Sequence, residues 1–223
     1  MRGRLTRKHV YFEMGDGRIV RPFETFGMRL STWDITPPKP KIYRMDIEGG
    51  DGTLDLTEWA GAVRFEDRTV TLVFRRYNGG NDTNFRLLLG RNLKLRFEDD
   101  PSHYYEGRCE DIKISDNGYV TDYTMTLTCK PYRYGPETTI EVEDIQTSGW
   151  HEETLRTDGL DVAPVFTAEG GSVWLRIDGV NTEYSAGTFT VPDYMVTQTP
   201  QTLQIGAEQS GVSLTINWRE RTL

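Results

Sequence analysis

Residues 48–57 read Glu-Gly-Gly-Asp-Gly-Thr-Leu-Asp-Leu-Thr, and this stretch decides how the first part of the chain folds. Its glycines can take positive φ without a Cβ clash, and Asp51 and Asp55 can accept hydrogen bonds from nearby backbone amides. Alternating residues precede it at 42–47 and follow it at 68–74, and both patterns are typical of strands. We therefore predict a shaped loop that turns the chain between these two strands.

Two further motifs follow the loop in order. Residues 98–108 read Glu-Asp-Asp-Pro-Ser-His-Tyr-Tyr-Glu-Gly-Arg, and residues 129–135 read Cys-Lys-Pro-Tyr-Arg-Tyr-Gly. Together with the loop, these motifs resemble the distal tail protein of long-tailed, non-contractile bacteriophages of the siphovirus type. That family has the same order of a Gly-Asp-Gly loop, a strand that starts with Arg, a short helix, an Asp-Asp-Pro turn and a closing Pro-Tyr-x-Tyr-Gly segment. The resemblance covers the chain up to residue 135, and beyond it only a general likeness to a β-sandwich appendage is left.

One departure from the family pattern concerns the helix before the Asp-Asp-Pro turn. The family has a longer helix that contains a Trp, whereas this chain offers only residues 82–90. Asp82 or Thr83 can cap the first free amides, Phe85, Leu88 and Leu89 then share one face, and Gly90 can end the helix. The pattern therefore predicts one short helix.

The resemblance implies a structural protein without enzymatic activity, catalytic residues, metal or cofactor. It implies a hexameric ring at the tip of the virion tail, formed after assembly in the host cytoplasm. The ring would join the tail tube to the tip hub and to host-recognition devices. The implied partners are therefore five further copies of the chain, the tail tube protein, the tip hub protein and a receptor-binding protein.

The predicted fold is mainly β: an N-terminal β-rich ring domain with one short helix, at residues 1–135, followed by a C-terminal β-sandwich appendage at residues 136–223. The break is predicted at residues 130–136, because two prolines and a glycine interrupt strand pairing there. The residues Asp116, Asn117 and Gly118 predict a hairpin turn. Alternating runs predict strands at 10–13, 27–33, 41–48, 69–74, 93–97, 104–115, 119–129, 138–145, 162–167, 172–177, 188–191, 202–205 and 212–218.

Charge is distributed unevenly along the 223 residues. The net charge of −8 divides into +6 over residues 1–44, −4 over 45–135 and −10 over 136–223. Binding to nucleic acid without sequence preference depends on Lys and Arg that displace counterions, so we expect no nucleic-acid partner for a chain this acidic. The basic first segment is either a contact surface for an acidic neighbour or a solvated face. The sequence has no signal peptide and no apolar run long enough for a membrane helix, so we expect no membrane insertion.

The cysteines and histidines predict no metal site. Cys109 and Cys129 lie on the two arms of the predicted hairpin, and a two-residue turn would place their sulfur atoms on opposite faces. We therefore expect two free thiols. His9, His103 and His151 have no metal-ligand spacing. The aspartates at 116–122 and 50–55 resemble calcium loops only faintly, because the closing Glu is missing, and turn formation explains them better.

Catalytic motifs are missing from the sequence, because no nucleophile elbow, phosphate-binding loop or zinc-protease motif occurs in it. A different function remains open in the second domain, where aromatic side chains could form either a platform for sugar rings or a core with protein contacts. These residues are Trp150, Trp174, Tyr184, Tyr194 and Trp218. The alternative hypothesis is therefore a carbohydrate-binding module or adhesin that acts as a monomer.

Overall fold

The computed structural model describes residues 9–59, 63–77, 83–116 and 118–223. The chain divides into two compact units, Met1–Arg133 together with Leu223, and Tyr134–Thr222. Both units are built mostly from antiparallel strands, which confirms the predicted mainly β class. No helix in these described ranges is long and apolar enough to cross a membrane.

The first unit contains long antiparallel strands and two short helices. Its strands are β1 (Val10–Met14), β2 (Ile19–Val20), β3 (Arg29–Ile35), β4 (Arg44–Asp46), β5 (Thr53–Asp55), β6 (Arg68–Tyr77), β7 (Asn92–Phe97), β8 (Asp100–Asp116) and β9 (Val120–Val142). Its helices are α1 (Pro22–Phe26) and α2 (Thr83–Arg86). The hydrogen-bonded order is β9-β8-β7-β1-β2, and β6 pairs with both β9 and β3.

The pairing of β6 with β9 builds the first core. Val70, Leu72 and Phe74 are buried on one face of β6, because successive side chains of a strand point to opposite faces. Their partners directly across the ladder are buried as well, and these are Leu127, Met125 and Tyr123. The alternation seen in the sequence at 69–74 therefore marks the inner face of this strand pair.

An aromatic cluster around α2 fills the same core. The Phe85 side chain is fully buried, and its ring centroid lies 5.4 Å from that of Phe74 and 5.7 Å from those of Phe26 and Tyr123. All of these pairs are edge-to-face, which is a favourable arrangement for aromatic rings. The Phe85 side chain therefore packs α2 against β6, β9 and α1.

The second unit is a two-layer arrangement of strands. After the last part of β9 it contains β10 (His151–Leu155), β11 (Val165–Glu169), β12 (Val173–Ile177), β13 (Val180–Tyr184), β14 (Gly187–Phe189), β15 (Gln201–Ala207) and β16 (Ser213–Thr222). One sheet has the order β10-β15-β12-β13, and the other strands follow the order β14-β11-β16-β9. Side chains of both layers share one core, among them Leu175, Ile205, Phe166 and Ile216. This is the predicted β-sandwich.

The interruption of strand pairing predicted at residues 130–136 is found for the ladder with β6, which ends at Cys129, but β9 itself continues as one strand from Val120 to Val142. Pro131 is tolerated for a physical reason. Pairing with β6 ends at Cys129, so the proline follows the last residue of that ladder, where its missing amide removes no hydrogen bond to β6.

The prediction of a single helix is wrong, since α1 precedes the predicted one. Pro22 occupies its first turn, and Gly27 ends it with a left-handed φ of 67°, donating its amide to the carbonyl of Phe23 at 3.0 Å. The proline and the glycine are standard start and stop signals. In the predicted helix, Thr83–Arg86 is helical, Gly90 follows with a φ of 76°, and the proposed cap Asp82 lies outside the described residues.

The hairpin predicted at 116–118 lies between β8 and β9, which are neighbours in the sheet. The Asp116 carboxylate accepts a hydrogen bond from the Gly118 amide at 2.8 Å, and Gly118 has a φ of 86°. Asn117 itself lies outside the described residues. The two cysteines on the arms of this hairpin are both buried in the first core, so the prediction that their sulfur atoms lie on opposite faces is wrong, although both thiols are free.

Replacing Phe85 by Ala should destabilise the protein by about 3–5 kcal/mol, because a buried aromatic ring in a packed cluster would leave a cavity. Chemical denaturation followed by tryptophan fluorescence measures this change. The matched control is Leu87→Ala, two residues away on a side chain that is 65% exposed, and its effect should stay within about 0.5 kcal/mol. Equal effects of the two variants would contradict the described core.

The thiols should react only when the protein unfolds. Burial raises the pKa of Cys109 to about 11 and that of Cys129 to about 12, so the reactive thiolate is scarce at neutral pH. Mass spectrometry after alkylation without reductant should show slow labelling of native protein and two labels per chain in denaturant. A chain that takes up no label in denaturant would carry a disulfide and would refute this expectation.

Candidate assembly surface

Residues 36–67 form an arm that extends the β3–β6 strand pair beyond the core of the first unit. The two strands pair as far as Ile35 and Val70, and the Thr36 amide then donates a hydrogen bond to the Thr69 carbonyl at 3.0 Å. None of the arm's described residues, which exclude 60–62, is buried. The described part of the arm therefore has no hydrophobic core of its own.

Backbone hydrogen bonds connect the outgoing and the returning segment of the arm. The Lys41 amide donates to the Arg64 carbonyl at 2.7 Å, and the Glu66 amide donates to the Lys39 carbonyl at 2.8 Å. Further out, β4 and β5 pair with Met45 directly opposite Leu54. The outer part of the arm is therefore a two-stranded hairpin.

The glycine-rich stretch is the turn of this hairpin. Gly49 and Gly52 have φ values of 74° and 86°, and the Gly50 amide donates to the Ile47 carbonyl at 3.1 Å. The prediction that this loop joins the strand at 42–47 to the strand at 68–74 is wrong. The chain instead returns along β5, whose three residues are too few to give a recognisable alternation.

The hairpin has one apolar face and one polar face. Residues directly opposite each other in an antiparallel pair point to the same side, so Met45 and Leu54 share a face with the alternate residues Tyr43 and Ile47. These four side chains are 46–55% exposed. The other face carries Arg44, Asp46, Thr53 and Asp55.

Among the described residues, no second layer covers this apolar face. Two more apolar side chains of the arm are exposed, Ile42 at 58% and Trp59 at 77%. A two-stranded hairpin is marginally stable by itself, and contiguous exposed apolar side chains mark interaction surfaces. We therefore take the apolar face of the hairpin, defined by Tyr43, Met45, Ile47 and Leu54, as the candidate assembly surface.

Residues 50–55 and 116–122, which faintly resemble calcium loops in sequence, use their aspartates to form turns. The Thr57 amide donates a hydrogen bond to Oδ1 of Asp55 at 2.9 Å, and hydrogen bonds from Thr57 lower the pKa of the Asp55 carboxyl. Asp116 accepts the Gly118 amide in the same way. Within the described ranges no three His, Cys, Asp or Glu side chains are grouped as metal ligands.

A cluster of Ser102, His103 and Asp100 has the composition of a catalytic triad but a different geometry. Both Ser102 Oγ, at 3.0 Å, and Asp100 Oδ1, at 2.8 Å, contact the same ring nitrogen, Nδ1 of His103. A triad requires the serine on one imidazole nitrogen and the carboxylate on the other. The second oxygen of Asp100 forms an ion pair with Arg133. The cluster therefore holds the Asp-Asp-Pro turn and is not arranged for nucleophilic catalysis.

The other two histidines have separate surroundings. The His9 ring lies 5.5 Å from the Phe23 ring, and Nε2 of His151 lies 2.7 Å from Oε1 of Glu153. These contacts bring neither of them to another histidine.

The aromatic residues of the second unit do not form one platform. Trp218 and Tyr194 belong to the core, Trp150 lies beneath the Arg176 guanidinium at 5.9 Å, and Trp174 lies opposite Glu183 in the β12–β13 pair. Tyr184 stacks on Phe189, with ring centroids 4.4 Å apart. Of the five predicted residues, Tyr184 and Tyr194 line a common cleft.

A scan against protein-family models and a search of curated proteins both gave no match. Among solved structures, the chain is similar to SPP1 Dit (gp 19.1), which is described as a paradigm of the hub adsorption apparatus in phages that infect Gram-positive bacteria. The TM-score is 0.57 at 18% sequence identity, and the match covers 98% of this chain and 100% of that chain. The likeness to a siphophage distal tail protein that the motifs predicted is therefore confirmed at the level of the fold.

Proposed function

We propose that this chain is a structural protein of a phage tail tip, and that six copies form a ring that joins the tail tube to the tip hub and to host-recognition devices. The observation that carries the proposal is the arm, whose apolar face is not covered by any second layer in the part of the chain that the structure describes. The fold of SPP1 Dit supports the tail-tip role. The number six comes from the resemblance of the sequence motifs to the distal tail family.

The arm can build a closed ring if its apolar face packs on a different surface of the next copy, whereas face-to-face packing of two arms would give a two-fold dimer. An arm that packs on a different surface of the next copy makes a heterologous contact, and repeating such a contact generates a ring when the rotation closes. Packing would bury the Met45 and Leu54 side chains, which are 55% and 46% exposed in the single chain. Full burial of an exposed side chain of this size contributes about 1.5–3 kcal/mol, so burying the part of each side chain that is still exposed contributes roughly half as much.

The two units have different roles in this proposal. The first unit, with the arm, builds the ring and contacts the tube and hub proteins, and the second unit is an outward appendage that holds a receptor-binding protein. The role requires no catalysis and no cofactor. It also places the chain at the virion tail tip, after assembly in the host cytoplasm.

Leu54→Lys should weaken association between copies by about tenfold or more, because a charge would replace an apolar side chain at the contact. The matched control is Thr53→Lys, which adds the same charge one residue earlier, on the polar face and opposite Asp46. Sedimentation velocity over a range of concentrations, with each variant alone and with tube and hub proteins, measures the association.

Both variants should keep the thermal unfolding midpoint of the single chain, because neither side chain is buried. If Leu54→Lys assembles as well as the unchanged protein, the apolar face is not the contact. If Thr53→Lys weakens association as much as Leu54→Lys does, the polar face also takes part in the contact. The assignment of the contact to the apolar face alone is then wrong.

A chain that ends at Gly135 should still fold and assemble. The ladder between β6 and β9 ends at Cys129, and the aromatic cluster around Phe85 lies entirely in the first unit, so both are retained. Circular dichroism checks the fold and sedimentation checks the assembly. A truncated chain that is folded but no longer assembles would show that the second unit belongs to the ring wall.

A further inference from the structure

The second unit contains a cleft of about 580 Å³ that the ring proposal does not use. It lies along β12 and β13 and is closed on the other side by the segment 191–195 and the first residues of β15. Its volume is in the range of about 300–1,000 Å³ that is usual for sites of small molecules. The cleft is therefore large enough for a ligand of one or two sugar rings.

The lining combines apolar strand residues with hydrogen-bonding side chains. Leu175 and Ile177 are apolar residues of β12 in its wall, whereas Asp178, Thr182 and Asp193 supply polar oxygens. Two carboxylates and a hydroxyl can accept several hydrogen bonds from a ligand that carries many O–H groups. The cleft thus suits a molecule with both apolar C–H surface and hydroxyl groups.

An aromatic wall is held in a fixed position beside these oxygens. The Tyr184 ring is stacked on Phe189 with an interplanar angle of 3°, and Phe189 is stacked on Phe166 with centroids 5.5 Å apart. Stacking restricts the ring of Tyr184, so less side-chain entropy would be lost when a ligand packs against it. The apolar face of a sugar ring is a suitable partner for an aromatic side chain.

Two buried oxygens of the lining have no hydrogen-bond partner in the structure. These are the hydroxyl of Tyr194, whose residue is 9% exposed, and Oε1 of Gln201. A buried polar group without a partner is costly, and such groups in a native fold call for an explanation. Burial, together with the charge of Asp178, raises the pKa of Tyr194 to about 12, so its hydroxyl keeps its proton and can donate.

The charge of the cleft selects between kinds of ligand. Asp178 and Asp193 are its charged residues, and no lysine or arginine occurs among the described residues that line it. A phosphate or carboxylate would be repelled by this pair.

The two aspartates are also held at left-handed φ values of 49° and 59°, which are uncommon for residues other than glycine.

We infer that this cleft is a binding site for a neutral saccharide unit, with Asp178, Asp193 and Tyr194 bonding its hydroxyl groups and Tyr184 packing against its ring. The site is independent of the arm and does not rest on ring formation. In a tail tip, the second unit would then have two roles. It would hold a receptor-binding protein, and it would bind a glycan directly.

Saturation-transfer NMR on the full chain tests this inference with a small set of sugars at millimolar concentration. The neutral probes are D-glucose, D-galactose and N-acetylglucosamine, and the charged probes are D-glucosamine and D-glucuronate. At least one neutral sugar should receive saturation, and glucuronate should receive none. Transfer to glucosamine as well would agree with the charge of the two aspartates, whereas absence of transfer to every neutral sugar, or a preference for glucuronate, would overturn the inference.

Three variants separate binding from stability. Tyr194→Phe should weaken sugar binding about fivefold and Asp178→Asn about tenfold, because each loses a hydrogen bond to the ligand. Tyr194→Phe should keep or raise the unfolding midpoint, since the hydroxyl that it removes has no hydrogen-bond partner among the described residues. Glu183→Gln is the matched control, since it removes an exposed carboxylate that lies opposite Trp174 in the β12–β13 pair and outside the cleft. Equal signals from all four proteins would place the sugar elsewhere and refute the site.

Discussion

The ladder between β6 and β9 determines which side chains of the first unit face inward. It pairs ten residues of β6 with β9 without a register shift, from Arg68 opposite Cys129 to Tyr77 opposite Val120. Because side chains alternate between the faces of a strand, this single register buries Val70, Leu72 and Phe74 together with their partners. A slip of one residue would move all of them to the outer face.

The arm continues this strand pairing past the end of the core. Its hairpin follows the same alternation, so Met45 and Leu54 come together on one side, but no second layer of described residues covers them. Burial of such a face is favourable only if it exceeds the entropy lost when two proteins associate. In a ring, the arm of every copy packs on the next copy, so the ring contains one such contact per copy. Burial of the apolar face at these contacts is the physical basis of the proposed assembly.

Much of the fold could be predicted from the sequence, because long strands with one buried face leave a clear period of two. The strands around Val70, Leu95, Met125 and Leu175 are of this kind. The arm could not be predicted, since β5 has three residues and the apolar and polar faces of the hairpin are visible only when the register is known. Pro131 marked the end of the pairing with β6, but it gave no sign that β9 continues as a strand to Val142. The cleft depends on Asp178, Tyr194 and Gln201, which come together only in three dimensions.

The number and arrangement of subunits test the central claim most directly. Negative-stain images of the purified full chain, alone and mixed with tail tube and hub proteins, should give class averages of a closed ring with six-fold symmetry. Light scattering on the same samples should give a mass of six copies for the ring. A chain that stays monomeric at high concentration and is not recruited into a ring by either protein would contradict the account.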